Sequence, residues 1–346
     1  MRKSLSIYIL TLSATILGYN SASGKEYCLK NESFLDYIGY IQPHTRPPFK
    51  VRVAVVDMAI PNGHRCAKKV NFDILTQDKG PESSVIKFKN SSIAYHGLDM
   101  TMAIMNIAPF AEVKFFSISD FSDQGISFVF NQALDWKPDI INYSISGDDS
   151  DGFFPLEHKA FKRAEKEGVI IVGAAGNEDK PLDIFIRYPA EYTVKLKNVI
   201  SVGTIEKGIS NYSSKKVLFN NYGNRVPVIP ASKKYKKSTT GSSIATATTT
   251  GILAHMLGFR SDSNLKARID LLKKVSSPYK NAVPRSKFGY IDFEKVNKAI
   301  KLYSKVKFRT PSCLKNEALM GNVSSIFSKD KKSSKKRLQC TSLVTK

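Results

Sequence analysis

DIINYSISG (139–147), PLEHKAFKRAEKE (155–167) and VIIVGAAGN (169–177) form the stretch that decides the fold of this chain. The first and third runs are apolar on both faces and have the length of buried strands. The run between them has the spacing of an amphipathic helix. Gly168 follows the helical run directly and predicts its end. Two such strands joined by a helix are typical of a parallel sheet, because the helix of the crossover covers one face.

The same alternation continues on both sides of this stretch. Further strands are predicted at VRVAVVDMAI (51–60), EVKFFSIS (112–119) and NVISVGTI (198–205). Further helices are predicted over AYHGLDMTMAIMNIAPFA (94–111), with its end at Pro109, and over residues 122–136. We therefore predict an α/β fold, a three-layer sandwich in which helices cover both faces of a mostly parallel sheet.

The first 23 residues have the layout of a secretory signal peptide. Arg2 and Lys3 precede an apolar stretch at 5–17, and small residues follow at 21–23. The apolar stretch is too short to span a bilayer comfortably, so cleavage is favoured over an uncleaved anchor. No later segment is long and apolar enough to cross a membrane. We expect an exported protein, either secreted or periplasmic.

Three further segments follow the predicted signal. Residues 24–50 form a short N-terminal extension, which Pro43, Pro47 and Pro48 make rich in turns. Residues 51–304 form the main domain. The Lys/Ser-rich residues 305–346 lose the strand and helix rhythm and form a C-terminal extension.

Four cysteines in an oxidising compartment predict two disulfides, for which three pairings exist. The favoured pairing is Cys28–Cys66 and Cys313–Cys340, because each bond would tie down a terminal segment. His64 and Cys66 lack a second pair of residues at ligand spacing, which argues against a metal site.

The formal net charge of +23 indicates attraction to anionic surfaces such as envelope polymers, lipid headgroups or nucleic acid. Much of this charge lies in KKYKK (233–237) and SKDKKSSKKR (328–337). The chain has no nucleic-acid recognition motif and no basic helix with interleaved aromatic residues. A solvated face, or electrostatic association with anionic envelope surfaces, is therefore favoured over a specific nucleic-acid site.

Three predicted strands carry a polar residue near the carboxyl end, where open parallel sheets bind ligands. These residues are Asp57, Asn142 and Asn177, while His96 and Ser243 each lie where a loop enters a helix. An aspartate, a histidine and a serine are the parts of an acyl-transfer site, since the histidine must take the serine proton and needs a carboxylate to orient it.

Sequence blocks in the order Asp, His, Asn, Ser make this pattern specific. They are VAVVDMAI (53–60), YHGLDMTMAIMNIAP (95–109), DIINYSISG (139–147), GVIIVGAAGNE (168–178) and TTGSSIATATTTG (239–251). In these blocks the chain resembles the subtilisin-like serine proteases, the subtilases. The resemblance covers residues 51–257.

The resemblance implies a secreted serine endopeptidase that works through an acyl-enzyme. The implied triad is Asp57, His96 and Ser243, and the implied oxyanion donors are Asn177 and the Ser243 N–H. The implied substrate strand and specificity pocket comprise Ser144, Ile145, Ser146, Gly147, Gly173, Ala174, Ala175 and Gly176.

The resemblance implies protein or peptide substrates and no cofactor for the chemistry. Structural calcium is common in the family, but GDDSDG (147–152) lacks the spacing of a helix-loop-helix calcium loop. A solvated acidic turn is favoured there, and no metal ligand is assigned. The small residues of the pocket predict a large apolar P1 side chain, the residue before the scissile bond. The alternative is a basic P1 side chain attracted by Asp148, Asp149 and Asp151.

The chain departs from the family pattern beside two triad residues. Met58 and Ala59 replace the usual Thr/Ser-Gly after the aspartate, and Leu98 and Met102 replace a threonine and a glycine after the histidine. These changes predict altered packing around the Asp57–His96 pair, with a hydrogen bond that is loosened by an ångström. The alternative function is a catalytically weak or inactive subtilase-fold protein that binds peptides.

Overall fold

A parallel sheet forms the centre of the computed structural model, which describes residues 32–43, 45–58, 96–148, 154–228, 237–260, 264–279 and 285–305. The strands are, in chain order, β1 (Arg52–Met58), β2 (Glu112–Ile118), β3 (Ile140–Tyr143), β4 (Gly147–Asp148), β5 (Ile170–Ala174), β6 (Arg187–Tyr188), β7 (Val199–Thr204), β8 (Phe219–Asn221), β9 (Val226–Val228), β10 (Lys237–Thr239), β11 (Ser276–Ser277) and β12 (Tyr290–Ile291). The α-helices are α1 (Glu32–Ile38), α2 (His96–Ile107), α3 (Asp123–Asp135), α4 (Pro155–Glu167), α5 (Ser242–Gly258), α6 (Leu265–Lys274) and α7 (Phe293–Lys305).

Eight of the described strands join in one sheet with the order β11-β12-β8-β7-β5-β3-β1-β2. All neighbouring pairs are parallel except β11 and β12. The predicted strand–helix–strand unit is present as β3, α4 and β5, with β3 and β5 side by side. Two antiparallel pairs, β4 with β6 and β9 with β10, lie outside this sheet.

Two hydrophobic cores lie on opposite faces of the sheet. Along β1, Val53 and Val55 belong to the larger core, which also contains residues of α2, α5, α6 and α7. Ala54 and Val56 belong to the second core, which contains residues of α3 and α4. Because successive side chains of a strand point to opposite faces, helices cover the sheet on both sides. The predicted three-layer α/β sandwich is confirmed.

The helix bounds follow from local signals in the sequence. The side chain of Ser122 accepts a hydrogen bond from the Gly125 N–H and caps α3. Helix α4 begins with Pro155, whose missing N–H costs nothing at this position. It ends at Gly168, which has a φ of 76° in the left-handed region. The predicted bounds of α4 are confirmed to the residue.

The N-terminal segment contributes to the larger core. The short helix α1 was not predicted, and it buries Phe34, Leu35 and Ile38. The Tyr40 hydroxyl lies 2.5 Å from Nδ1 of His255 in α5. The prolines do exclude a long helix, but the seven residues of α1 are held by burial of one apolar face.

Helix α5 is buried along its whole length except at Ser243. An added Cβ at Gly251 would lie 2.9 Å from Cβ of Ile107 and 3.2 Å from the carbonyl oxygen of Ile104, both in α2. The small residues of α5 therefore allow α2 and α5 to pack closely, as the sequence predicts.

Several predictions concern residues outside the described ranges. They are the signal peptide, both disulfide pairings, the Lys/Ser-rich extension, and Asp149 and Asp151 of the acidic turn. Within the described ranges, no helix has the length and apolar character needed to cross a membrane.

Candidate active site

Asp57 and His96 are joined by a hydrogen bond at the carboxyl end of β1. The Nδ1 atom of His96 lies 2.7 Å from Oδ1 of Asp57, which also accepts a hydrogen bond from the Met58 N–H at 2.7 Å. The Asp57 side chain is fully buried, and 19% of the His96 side chain is exposed. A carboxylate can only accept, so this contact places a proton on Nδ1, and in the neutral imidazole the lone pair is then on Nε2.

The first turn of α2 approaches the end of β1 very closely. An added Cβ at Gly97 would lie 2.4 Å from the carbonyl oxygen of Met58 and 2.7 Å from the ring of Phe115. A glycine therefore has to follow His96 for the imidazole to reach Asp57. The sequence did not predict a role for Gly97, although it follows the histidine directly.

The departures after Asp57 and His96 do not open this contact. Leu98 and Met102 are buried in the larger core on α2, whereas the imidazole contacts Asp57 at an ordinary hydrogen-bond length. The predicted loosening by an ångström is wrong. The two apolar side chains add packing on α2 and leave the polar contact intact. Ala59 lies outside the described residues.

Ser243 lies in the first turn of α5, half-buried. Its Oγ donates a hydrogen bond of 2.9 Å to the carbonyl oxygen of Ser144. The hydroxyl of Ser144 donates in turn to the carbonyl oxygen of Ser243 at 3.0 Å. Ser243 is thus held against the segment that follows β3.

Helices α2 and α5 bring His96 and Ser243 to the same end of the molecule. An added Cβ at Gly251 would lie 3.2 Å from the carbonyl oxygen of Ile104, and one turn further along α5 Nδ1 of His255 lies 2.6 Å from the carbonyl oxygen of Ile107, at the end of α2. Contacts that advance together along both helices show that they run in the same direction. His96 and Ser243, each in a first turn, therefore share the end of the sheet that carries Asp57.

Asn177 lies beside the first turn of α5. Its Oδ1 accepts hydrogen bonds from the backbone N–H of Ser242 at 2.7 Å and from the Ser242 hydroxyl at 2.9 Å. The carbonyl end of the amide faces Ser242, so the N–H groups of Nδ2 are not used in the contact with Ser242. Gly241 has a φ of 139°, and an added Cβ would lie 3.0 Å from Asn177 Oδ1. Ser242 thus orients Asn177, a role that sequence reasoning missed.

The two predicted peptide-binding segments face each other. Ser144, Ile145 and Ser146 connect β3 to β4, and Gly147 pairs with Tyr188 of β6. An added Cβ at Gly176 would lie 3.4 Å from Oγ of Ser146, so the loop after β5 lies against the segment 144–146. Of the other predicted pocket residues, Gly173 and Ala174 end β5, and Ala174 and Ala175 are fully buried.

An ion pair beside these two segments was not foreseen. Arg187 Nη2 lies 2.7 Å from Oε1 of Glu178. The other carboxylate oxygen of Glu178 accepts from Nδ2 of Asn211 at 2.6 Å and would lie 2.8 Å from a Cβ at Gly176. The position of Glu178, directly after Asn177, is the signal in the sequence that could have found it.

A buried acid lies on the far side of the sheet. Burial raises the pKa of Glu157 to about 7. It accepts a hydrogen bond of 3.0 Å from the Tyr192 hydroxyl and another from Tyr143. Burial also holds the pKa of Tyr143 well above its usual value, and the nearby Glu157 adds to this shift. Tyr143, which pairs with Val56 of β1, therefore remains neutral at physiological pH.

The described residues contain no group of three or more His, Cys, Asp or Glu side chains that could hold a metal ion. Asp148 starts the acidic turn that the sequence raises as a calcium candidate. The rest of that turn, 149–152, is outside the described ranges.

Comparisons with known proteins agree with this geometry. The sequence model of the subtilase family, Peptidase_S8, matches residues 51–290. The major intracellular serine protease of Bacillus subtilis (strain 168) is 28% identical over 232 residues, covering 62% of this chain and 70% of that protein.

Two solved structures share the fold. The A-subunit of the AB5 toxin from E. coli has a TM-score of 0.62 at 19% identity, covering 79% of this chain and 99% of the other. The prenylagaramide maturation protease PagA has a TM-score of 0.57 at 18% identity, covering 74% of this chain and 94% of the other.

Proposed function

Because the chain belongs to the subtilase family, a family of serine proteases, we propose that it is a serine endopeptidase with Ser243 as its nucleophile. The observation that carries the proposal is the 2.7 Å contact between Nδ1 of His96 and the buried carboxylate of Asp57. It occurs at the end of the sheet where the parallel helix α5 presents Ser243.

Proton transfer in this proposal runs from Ser243 to His96. The Ser243 hydroxyl leaves the Ser144 carbonyl by rotation about its Cα–Cβ bond and gives its proton to Nε2 of His96. Its oxygen then attacks the scissile carbonyl, and the π electrons of that carbonyl become the oxyanion. Asp57 holds the Nδ1–H tautomer and stabilises the imidazolium. His96 next protonates the leaving amine, and the C–N bond breaks to give the acyl-enzyme.

Water completes the cycle. His96 takes a proton from water, the hydroxide attacks the acyl carbon, and Ser243 leaves with that proton. In both steps the oxyanion is held by the N–H of Ser243 and by Nδ2 of Asn177. Support for this assignment comes from Ser242, which fixes the carbonyl end of the Asn177 amide. Loss of one such donor typically costs about 10²–10³ in kcat.

The proposed substrate is an extended peptide. Its backbone pairs with Ser144–Gly147, and the P1 side chain lies on the side of the loop after β5, near Gly176. In the Glu178–Arg187 ion pair, the carboxylate nearest to Gly176 is already paired with a guanidinium. A paired carboxylate attracts a basic P1 side chain less strongly, which supports the uncharged P1 side chain over the basic alternative. Cleavage of a peptide library with all residues at P1 tests this preference.

A second candidate function is peptide binding without turnover. The hydrogen bond from Ser243 Oγ to the Ser144 carbonyl favours it, because this bond occupies the proton that His96 would have to take. A protein in which this bond persisted on substrate binding would hold peptides and release them intact.

Fluorophosphonate labelling separates the two functions. Wild type and Ser242→Ala should be labelled, the variant more slowly because Asn177 loses a hydrogen-bond partner. Ser243→Ala should not be labelled and should not cleave peptides. Absence of labelling in wild type, together with retained peptide binding, would leave only the binding function.

Export and surface association are further parts of the proposal. Removal of residues 1–23 is supported by their charge and hydropathy pattern, and N-terminal sequencing of the mature protein tests it. Association of residues 305–346 with anionic envelope material is supported by their lysine content. Deletion of this segment should weaken salt-sensitive surface binding and leave peptide hydrolysis unchanged.

A further inference from the structure

A buried chain of hydrogen bonds connects the middle of α5 to the first turn of the same helix by way of β3. Oγ1 of Thr250 donates to Oδ1 of Asn142 at 2.9 Å, and Nδ2 of Asn142 donates to Oγ of Ser144 at 3.0 Å. Oγ of Ser144 then donates to the carbonyl oxygen of Ser243 at 3.0 Å. Thr250, Asn142 and Ser144 are all buried.

Thr250 differs from the other threonines of α5 in where its hydroxyl bonds. Thr246, Thr248 and Thr249 each donate to the carbonyl oxygen four residues earlier in their own helix. That bond is the local alternative for a threonine in a helix. Thr249 also accepts a hydrogen bond from Nδ2 of Asn221 in β8, but its own proton stays within the helix. Thr250 instead donates across to Asn142 of β3, so its hydroxyl proton links two elements.

Asn142 is satisfied at both ends of its amide by this chain. It is fully buried, and a buried amide without partners is costly, so its orientation depends on Thr250 and Ser144 together. If Thr250 lost its hydroxyl, Oδ1 of Asn142 would lose the donor of its hydrogen bond. The amide would then be free to turn, and Ser144 would lose the donor that orients its hydroxyl.

Ser144 passes this constraint to Ser243 through two separate bonds. The Ser144 hydroxyl holds the backbone of Ser243, and the Ser144 carbonyl holds the Ser243 hydroxyl. Asn142 is also in register with Val55 of β1, two residues before Asp57. The chain of bonds therefore ties the helix that carries Ser243 to the strand next to the one that carries Asp57.

We propose that Thr250 and Asn142 are positioning residues that set Ser243 relative to His96 and Asn177. This inference rests on the proposed protease function. Neither residue touches the reacting atoms, and both act through Ser144. Removal of the Thr250 hydroxyl should displace Ser243 and lower the rate of the chemical step, because misplacement by about 1 Å can cost about 10²-fold.

The kinetic test compares Thr250→Val with Thr248→Val. Both remove one hydroxyl from a buried threonine of the same helix, but only Thr250 bonds to the sheet. We expect Thr250→Val to lower kcat and the fluorophosphonate labelling rate by about 10- to 100-fold, with KM changed less than about threefold. Thr248→Val should stay near wild type, and Thr250→Ser should recover most of the rate.

Hydrogen exchange supplies a readout that does not need activity. Thr250→Val should speed amide exchange in peptides spanning 142–148 and 240–246, whereas Thr248→Val should not. Equal rates and equal exchange in the two valine variants would overturn the positioning role. If wild type showed no labelling or cleavage, the protease proposal would fail. The exchange comparison would then decide the positioning role, since equal exchange would overturn it and a rise specific to Thr250→Val would support it.

Discussion

At the candidate site, single glycines allow neighbouring groups to approach more closely than any larger residue would. Gly97 and Gly241 lie next to His96 and Asn177, and an added Cβ at either glycine would meet atoms at or within about 3 Å. The polar side chains of the site can therefore come together only because the neighbouring residues are glycines, which have no side chain. The proposed roles of His96 and Asn177 therefore require a glycine at each of these two positions.

Replacement of Asp57 by Asn should cost about 10⁴ in kcat, because the amide no longer selects the Nδ1–H tautomer of His96. Steady-state kinetics on a peptide substrate measure the effect, and circular dichroism checks the fold. A raised KM with unchanged kcat would contradict the role of Asp57 in the chemical step.

Elements position the site through their packing against one another. Helices α2 and α5 lie on the same face of the sheet and approach closely at Gly251. Their first turns carry His96 and Ser243, so the distance between the helices bears on the distance between these residues. Strand β3 adds a second constraint through Asn142 and Ser144.

Replacement of Gly251 by Ala should therefore destabilise the protein and reduce activity together. The added methyl group has to move Ile107 or the backbone of Ile104, and overpacking of this kind costs about 1–3 kcal/mol. Urea unfolding measures the loss, and kcat/KM measures the displacement of the helices. An unchanged urea midpoint would show that α2 can shift without cost.

At the scale of the whole molecule, each of the two cores buries a titratable group, and burial disfavours the charged form of that group. In the second core, Glu157 is packed among Tyr143 and Tyr192, and burial raises its pKa to about 7. In the larger core, burial lowers the pKa of His255 to about 4, although its contact with the Ile107 carbonyl works in the opposite direction. Glu157 therefore lowers the stability of the folded state as the pH rises, and His255 lowers it as the pH falls.

Glu157 should reduce stability as the pH rises. Its pKa is raised in the folded state, so the unfolded chain releases its proton first, and stability falls between pH 4.5 and about 7. The loss is on the order of 3 kcal/mol. Glu157→Gln keeps an acceptor for Tyr192 and should remove this dependence, which urea unfolding at pH 5 and pH 8 measures. Parallel pH profiles for wild type and variant would contradict the buried-acid interpretation.

His255 should reduce stability as the pH falls. Its pKa is lowered in the folded state, so the unfolded chain binds a proton first, and stability falls from pH 6.5 down to about pH 4. The loss again is on the order of 3 kcal/mol. Urea unfolding of His255→Asn across this range should show a flatter profile than wild type. An equally steep profile in the variant would assign the acid sensitivity to other groups.

The sequence by itself determined the α/β class, the bounds of α4 and the position of β1, and it predicted the residues of the candidate site. Local signals suffice for these features, because strand and helix periodicity, a proline at a helix start and a glycine at its end act within a few residues. Asp57, His96, Asn177 and Ser243 were predicted because each stands at the end or start of such an element and because the surrounding blocks resemble the subtilases.

Only the tertiary structure decided how these groups are held. The bond from Thr250 to Asn142 joins residues 108 positions apart, and α1 is a helix because the core buries one of its faces. The Glu178–Arg187 pair and the intact Asp57–His96 contact beside Leu98 and Met102 likewise depend on packing between distant segments. Such contacts leave no local pattern in the sequence, because side-chain periodicity records which face is buried and not which partner buries it.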